Sequence, residues 1–205
     1  MRTLICGSIA YDTIMVFRDR FKNHILPEQL HILNVAFLVP DLRREFGGCA
    51  GNIGYNLGLL GGEPLIMATV GDDYLPYDER LKKLQLSQQH VRRISGTFTA
   101  QAFITTDLDD NQITAFHPGA MNHSHDNHVA DASGVKLGIV APDGRDGMLQ
   151  HAREFHAAGH GANAAARAFD LHLPHAVHHA QAHGLLAPRL VPRVIVSTHA
   201  GGAGA

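Results

Sequence analysis

Gly47–Gly48–Cys49–Ala50–Gly51–Asn52–Ile53–Gly54 is the stretch of this 205-residue chain on which its fold turns. A glycine pair ahead of a helical run lets the backbone approach a ligand with no Cβ in the way. The amides at a helix start lack intrahelical partners and face outward, toward whatever the turn holds. The spacing is not the dinucleotide pattern G-x-G-x-x-G, because Cys49 and Ala50 separate Gly48 from Gly51. Nor is it a P-loop, since no Gly-Lys-Ser/Thr occurs in the chain. Read alone, the stretch suits a tight turn with close helix–sheet packing better than a ligand cradle.

On its carboxyl side, Ile53, Leu57 and Leu60 fall at helical spacing from Ala50 to Leu60, and Gly61–Gly62 stops the helix. Short apolar runs read as buried strands at Leu4–Ile9, at Ile32–Val39 (stopped by Pro40), at Leu65–Val70 and at Leu137–Val140. Helical patterns cover Tyr77–Leu86 and Gly147–Ala158. Thr97–Thr106 and Gln112–His117 are β-rich and separated by the turn-forming Asp109–Asp110–Asn111. Alternating strands and helices predict a layered α/β sheet, and the two β-rich runs with no helix between them predict an antiparallel flap.

Two further segments bear on function. Gly7–Ser8–Ile9–Ala10–Tyr11–Asp12 places a carboxylate just beyond the carboxyl end of the first strand, where open α/β sheets bind ligands. Ala115–Phe116–His117–Pro118–Gly119–Ala120–Met121 puts an aromatic at the end of the flap. With the glycine pair and Asn52, these segments resemble the amino-terminal half of the PfkB/ribokinase family of small-molecule kinases, the nearest pattern being that of bacterial adenosine kinases. The similarity runs from about residue 4 to about residue 159 and includes Phe21–His31 and Phe37–Val39.

The resemblance implies a ribokinase-like layered α/β sheet with a small β-sheet lid, incomplete at the carboxyl end. Residues 1–159 would be the substrate-binding part, with lid strands near 31–39 and 97–117. It implies that Asp12, Gly47, Gly48 and Asn52 hold the sugar hydroxyls, that Ser8 lines the same pocket, and that Phe116 stacks on the base. The chemistry suits these types: a carboxylate and an amide each take vicinal hydroxyls, and an aromatic plane covers a ring. The implied activity is transfer of phosphate from ATP, with Mg2+, to the 5′-hydroxyl of a nucleoside, adenosine being favoured. A sugar such as ribose or fructose is the alternative acceptor. Two positions depart from adenosine kinases: a second lid aromatic is replaced by Ala102, with Phe103 facing the other way, and a pocket serine by Ala36.

The family's G-A-G-D catalytic aspartate, its Asn/Glu motif for magnesium and its ATP site lie later in the chain, and no counterpart is found here. Gly201–Gly202–Ala203–Gly204–Ala205 echoes the glycines without the aspartate. Residues 160–205 hold seven His, twelve Ala, three Arg, no Lys and a single acid, Asp170, which predicts an atypical tail from a shifted reading frame. A non-catalytic remnant that only binds nucleoside or sugar is the second reading. His175, His178, His179 and His183 share a helical face but have no carboxylate support, so a metal site is not expected.

Composition sets the outer bounds. The chain has 17 basic and 19 acidic residues for a net charge of −2, and 45% of it is hydrophobic, which argues against disorder and against a nucleic-acid partner. Two cysteines make no disulfide framework, and Cys49 at a helix start is a small packing residue with some sensitivity to oxidation. No signal peptide and no apolar run of about 20 residues is visible, so a cytoplasmic protein without a membrane partner is expected. Arg43–Arg44, Lys82–Lys83 and Arg92–Arg93 read as solvated faces, and the histidines at 117, 123, 125 and 128 as a polar loop. An open sheet edge and an uncovered apolar face predict self-association, with a homodimer through the lid.

Overall fold

A continuous apolar run such as Leu4–Ile5–Cys6 suits a strand covered on both faces, and the computed structural model places it at the centre of a five-stranded sheet. The structure describes residues 1–27, 32 and 34–159, together with the backbone of 162–164. The elements run β1 (Arg2–Cys6), β2 (Ala10–Val16), β3 (Asp41–Gly47), α1 (Cys49–Leu59), β4 (Glu63–Val70), α2 (Leu75–Lys83), β5 (Ser87–Arg93), β6 (Ala100–Thr106), β7 (Gln112–His117), β8 (Leu137–Val140), α3 (Arg145–Ala157) and β9 (Ala162–Ala164).

The first sheet has the order β5-β4-β1-β8-β9, every neighbouring pair parallel. Alternation along its central strands sends successive side chains into two separate cores. Ile5, Ile66, Ala68 and Val70 pack with Ala50 of α1 and with Tyr77 and Leu81 of α2. Leu4, Cys6, Met67 and Val140 pack with Phe155 of α3 on the other face. This is the layered α/β arrangement expected from the alternating pattern.

The second sheet, order β3-β2-β6-β7, is built from two excursions: β2 and β3 leave the core between β1 and α1, and β6 and β7 follow β5. β6 and β7 pair antiparallel as the flap reading required, and β2 joins β6 in parallel. Pairing of β2 with β3 runs from Ala10↔Gly47 to Val16↔Asp41.

Three expectations are corrected here. The strand expected over 31–39 is not found among the described residues: 34–40 have no regular structure, and the lid strand is Asp41–Gly47 instead. The pairing gives the reason. β2 ends at Val16, opposite Asp41, so residues before Pro40 lie past the end of any strand they could pair with. Their apolarity serves packing instead, the Phe37 ring sitting 4.8 Å from that of Phe17 and 4.9 Å from that of Phe21, while Leu38 is 86% exposed. Asp12, expected just beyond the end of the first strand, lies within a second strand, β2, the first ending at Cys6. Finally, β9 falls inside the segment set apart as a tail, its backbone pairing parallel with Gly138, Ile139 and Val140. The histidines at 175, 178, 179 and 183, the terminal glycines and the change of reading frame lie outside the described residues.

Candidate functional site

The glycine pair joins β3 to α1 at the point where the two sheets meet. Gly48 has φ +88°, and a Cβ there would lie 2.6 Å from both the Ser8 carbonyl oxygen and the Ala10 nitrogen, so only glycine fits. A Cβ on Gly47 would strike the Asp12 carboxylate, which shows how closely that carboxylate lies against the turn. The Gly47 carbonyl accepts a hydrogen bond from the buried Tyr77 hydroxyl of α2 at 2.8 Å.

Ser8 ties this turn to β1. Its hydroxyl accepts the Cys49 N–H at 3.1 Å and its carbonyl accepts the Ala50 N–H at 2.9 Å. The first two amides of α1 are thus already taken, and Ser8 acts as a remote cap. Burial pushes the Cys49 thiol up, with a smaller lowering from its hydrogen bond to Ser8, so it is not an activated thiolate. Asn52 sits in the first turn of α1, exposed, its side chain making no hydrogen bond to another described residue.

The lid contributes a row of side chains. Glu45 of β3, Asp12 of β2, Ala102 of β6 and Phe116 of β7 are successive register partners, so all four project from one face. Ala102 is small and 2% exposed, and the low strip it makes in the row, a trough, separates the Asp12 and Phe116 strands by two spacings, about 10 Å. Asp12 is half-buried, its carboxyl raised by burial first and by Glu45 second. No hydrogen bond from a described residue satisfies it. Phe103 points to the opposite face, as alternation requires, where with Phe98, Gln101 and His117 it lines a shallow concavity of about 470 Å³. Another, of about 370 Å³, lies along α3 at Asp146, Leu149, Gln150, Arg153 and Glu154. Neither is lined by Asp12 or Phe116, and so the trough is the better candidate. Ala36 is exposed in the irregular segment before Pro40.

One residue escaped the sequence reading. Asp143 follows β8 and is buried, its Oδ1 accepting the Gly144 N–H at 2.9 Å and its Oδ2 without a partner. Burial pushes its carboxyl up to about 8, against a lowering from that N–H. The chain beside it is pinned to the glycine turn through Ser8, whose N–H donates to the Pro142 carbonyl. A carboxylate just past the end of a central strand was the signal that marked Asp12, and Pro142–Asp143–Gly144 carries it too.

The basic pairs are engaged: Arg43 with Glu45, Lys82 with Asp78, Arg93 with Asp72, and Arg92 with Asn127. Arg44 is more than a solvated charge, because it stacks 3.6 Å above the Tyr11 ring centroid. Among the described residues no group of three or more His, Cys, Asp or Glu is placed to hold a metal ion, and no helix is long and apolar enough to cross a membrane.

No family model matches the chain. Among solved structures, Burkholderia thailandensis nucleoside kinase in complex with inosine is 56% identical, with a TM-score of 0.71 over 79% of this chain and 51% of that one. Its complex with ADP-inosine is 58% identical, at a TM-score of 0.65 and the same coverage. The nucleoside kinase of Methanocaldococcus jannaschii, described as an archaeal member of the ribokinase family, is 26% identical, with a TM-score of 0.63 over 75% of this chain and 49% of that one. By sequence the same archaeal enzyme is 33% identical over 92 residues, 44% of this chain and 30% of the relative. A ribokinase from Cryptococcus neoformans in complex with ADP shares the fold at 18% identity, with a TM-score of 0.52 over 68% of this chain and 40% of that one. The chain thus spans about half the length of the nucleoside kinase structures and 30% of the curated relative.

Proposed function

We propose, from a ribokinase-like α/β fold whose structure neighbours are nucleoside kinases and ribokinases of the PfkB/ribokinase family, that this chain is the acceptor-holding part of a nucleoside kinase. The observation that carries the reading is the row Asp12–Ala102–Phe116 facing the glycine turn. Asp12 accepts from the ribose hydroxyls, and the close backbone of Gly47 and Gly48 leaves room for the sugar. Asn52 supplies an amide, and Phe116 covers the base across the gap that Ala102 leaves. Asp143, protonated near neutrality, lies enclosed beside the turn that Ser8 holds. Ser8 serves the site by holding the turn.

The reaction is phosphate transfer from ATP to the 5′-hydroxyl. These residues bind and orient the acceptor while the lid excludes water. Adenosine is the acceptor favoured by the sequence; inosine, the ligand of the 56% identical relative, shares its ribose and fused ring.

Titration of the chain with adenosine, inosine and ribose tests this. Both nucleosides are expected to bind, and Asp12→Ala to weaken binding by roughly 10- to 100-fold, as loss of a charged hydrogen-bonding partner does. Unchanged affinity in Asp12→Ala sinks the assignment, and ribose binding as tightly as the nucleosides moves the substrate to free sugars.

A further inference from the structure

Asp73 lies in the loop between β4 and α2, on the far side of the lid from the trough. Its Oδ1 accepts the Thr99 N–H at 2.7 Å, at the entrance to β6. Its Oδ2 accepts from Gln101 Nε2 of β6 at 3.0 Å and meets Arg44 Nη2 of β3 at 3.4 Å. Its carbonyl accepts the Tyr11 hydroxyl of β2 at 3.1 Å. Arg44 closes the set by stacking on the Tyr11 ring.

Tyr11, Gln101 and Arg44 each immediately neighbour in sequence a member of the site row: Asp12, Ala102 and Glu45. Alternation puts the row on one face of the strands and the residues that Asp73 holds on the other. One loop residue of the α/β layer therefore grips the backs of the three lid strands whose fronts form the trough. The remaining site residues, Asn52 and Asp143, belong to the α/β layer itself, so the trough exists only while the lid is held at this angle.

We propose that Asp73 is a positioning residue that mounts the lid on the α/β layer and sets the separation of Asp12 and Phe116 from Asn52 of α1. The consequence for binding rests on the nucleoside reading above; the consequence for the lid does not. The ordinary alternative is that Asp73 merely stabilises the whole domain, and hydrogen exchange separates the two, because it reads each sheet on its own.

Amide exchange of the ligand-free chain is compared for wild type, Asp73→Ala and Asp73→Asn. Asp73→Ala is expected to speed exchange in β2, β3 and β6 by about tenfold or more, with β1, β4 and β8 within about twofold of wild type. Asp73→Asn retains an oxygen for Thr99 but sets an amide against Arg44, so its lid exchange falls between the two, and the conservative variant partly rescues. The same order is expected for inosine affinity. Unchanged lid exchange, or equal acceleration in both sheets, overturns the proposal. Should Asp73→Ala not fold, the Asn variant and Arg44→Met, which removes one side of the grip, decide by the same pattern. A wild-type chain that binds no inosine refutes the nucleoside reading and leaves the exchange result to judge Asp73.

Discussion

Two carboxylates at the site differ in how far the protein has moved them. Asp12 is raised by burial and by the opposed Glu45 yet remains half-open to solvent. Asp143 is enclosed, with one oxygen unpaired, and is pushed up to about 8. In the unfolded chain its carboxyl titrates near pH 4. Between about pH 4 and about 8 the folded state therefore holds a proton that the unfolded state has released, and this group's contribution to stability falls as pH rises through that window. Asp143→Asn, uncharged throughout, is expected to flatten the dependence and to melt higher than wild type at pH 8, a gain on the order of a few kcal/mol for a fully desolvated carboxylate. Melting temperatures at pH 5 and pH 8 check this. Parallel wild-type and variant profiles would show that Asp143 finds a partner when ionised.

Helix α1 begins and ends on glycines with positive φ, and the two are not equivalent. Gly48 at +88° has backbone atoms of Ser8 and Ala10 where a Cβ would go, whereas Gly61 at +76° has nothing within 4 Å. Gly61→Ala carries conformational strain alone, about 1 kcal/mol, while Gly48→Ala adds a backbone collision and is expected to cost upward of about 3 kcal/mol. Denaturant unfolding of the two variants measures the difference, and equal costs would mean the turn shifts freely. The helix was legible because Ile53, Leu57 and the closing glycines are local signals, and β1, β4 and β8 were legible because burial on both faces forces continuous apolar runs. The strands β2, β3 and β5 were not. Asp-Leu-Arg-Arg-Glu-Phe-Gly in β3 and Ser-Gln-Gln-His-Val-Arg-Arg in β5 form sheet edges with much of their surface in water, so their pairing leaves no apolar period. The site divides the same way. Asp12 and the glycine pair stood out as local patterns, but the row joining Asp12 to Phe116 exists only through cross-strand register.

At the scale of the molecule, the lid is a four-stranded sheet exposed at both edges among the described residues, and those edges are defended unequally. β3 carries Asp41, Arg43, Arg44 and Glu45, and charge on an edge strand opposes pairing with another chain. β7, Gln-Ile-Thr-Ala-Phe-His, carries no Asp, Glu, Lys or Arg and is exposed along its length. The lid's back face adds uncovered apolar surface, with Leu42 65%, Phe98 59% and Ile113 44% exposed. We propose that two copies associate through the lid, at β7 and the adjoining back face rather than at β3. Ile113→Lys places a charge on that edge, facing away from the trough, and is expected to yield monomer while leaving inosine affinity within about twofold. Sedimentation equilibrium of wild type and variant over a range of concentrations reads this directly. A wild-type chain that stays monomeric near 100 μM, well above the roughly micromolar range of a modest interface, removes the lid as an association surface. A dimer that survives Ile113→Lys places the contact elsewhere.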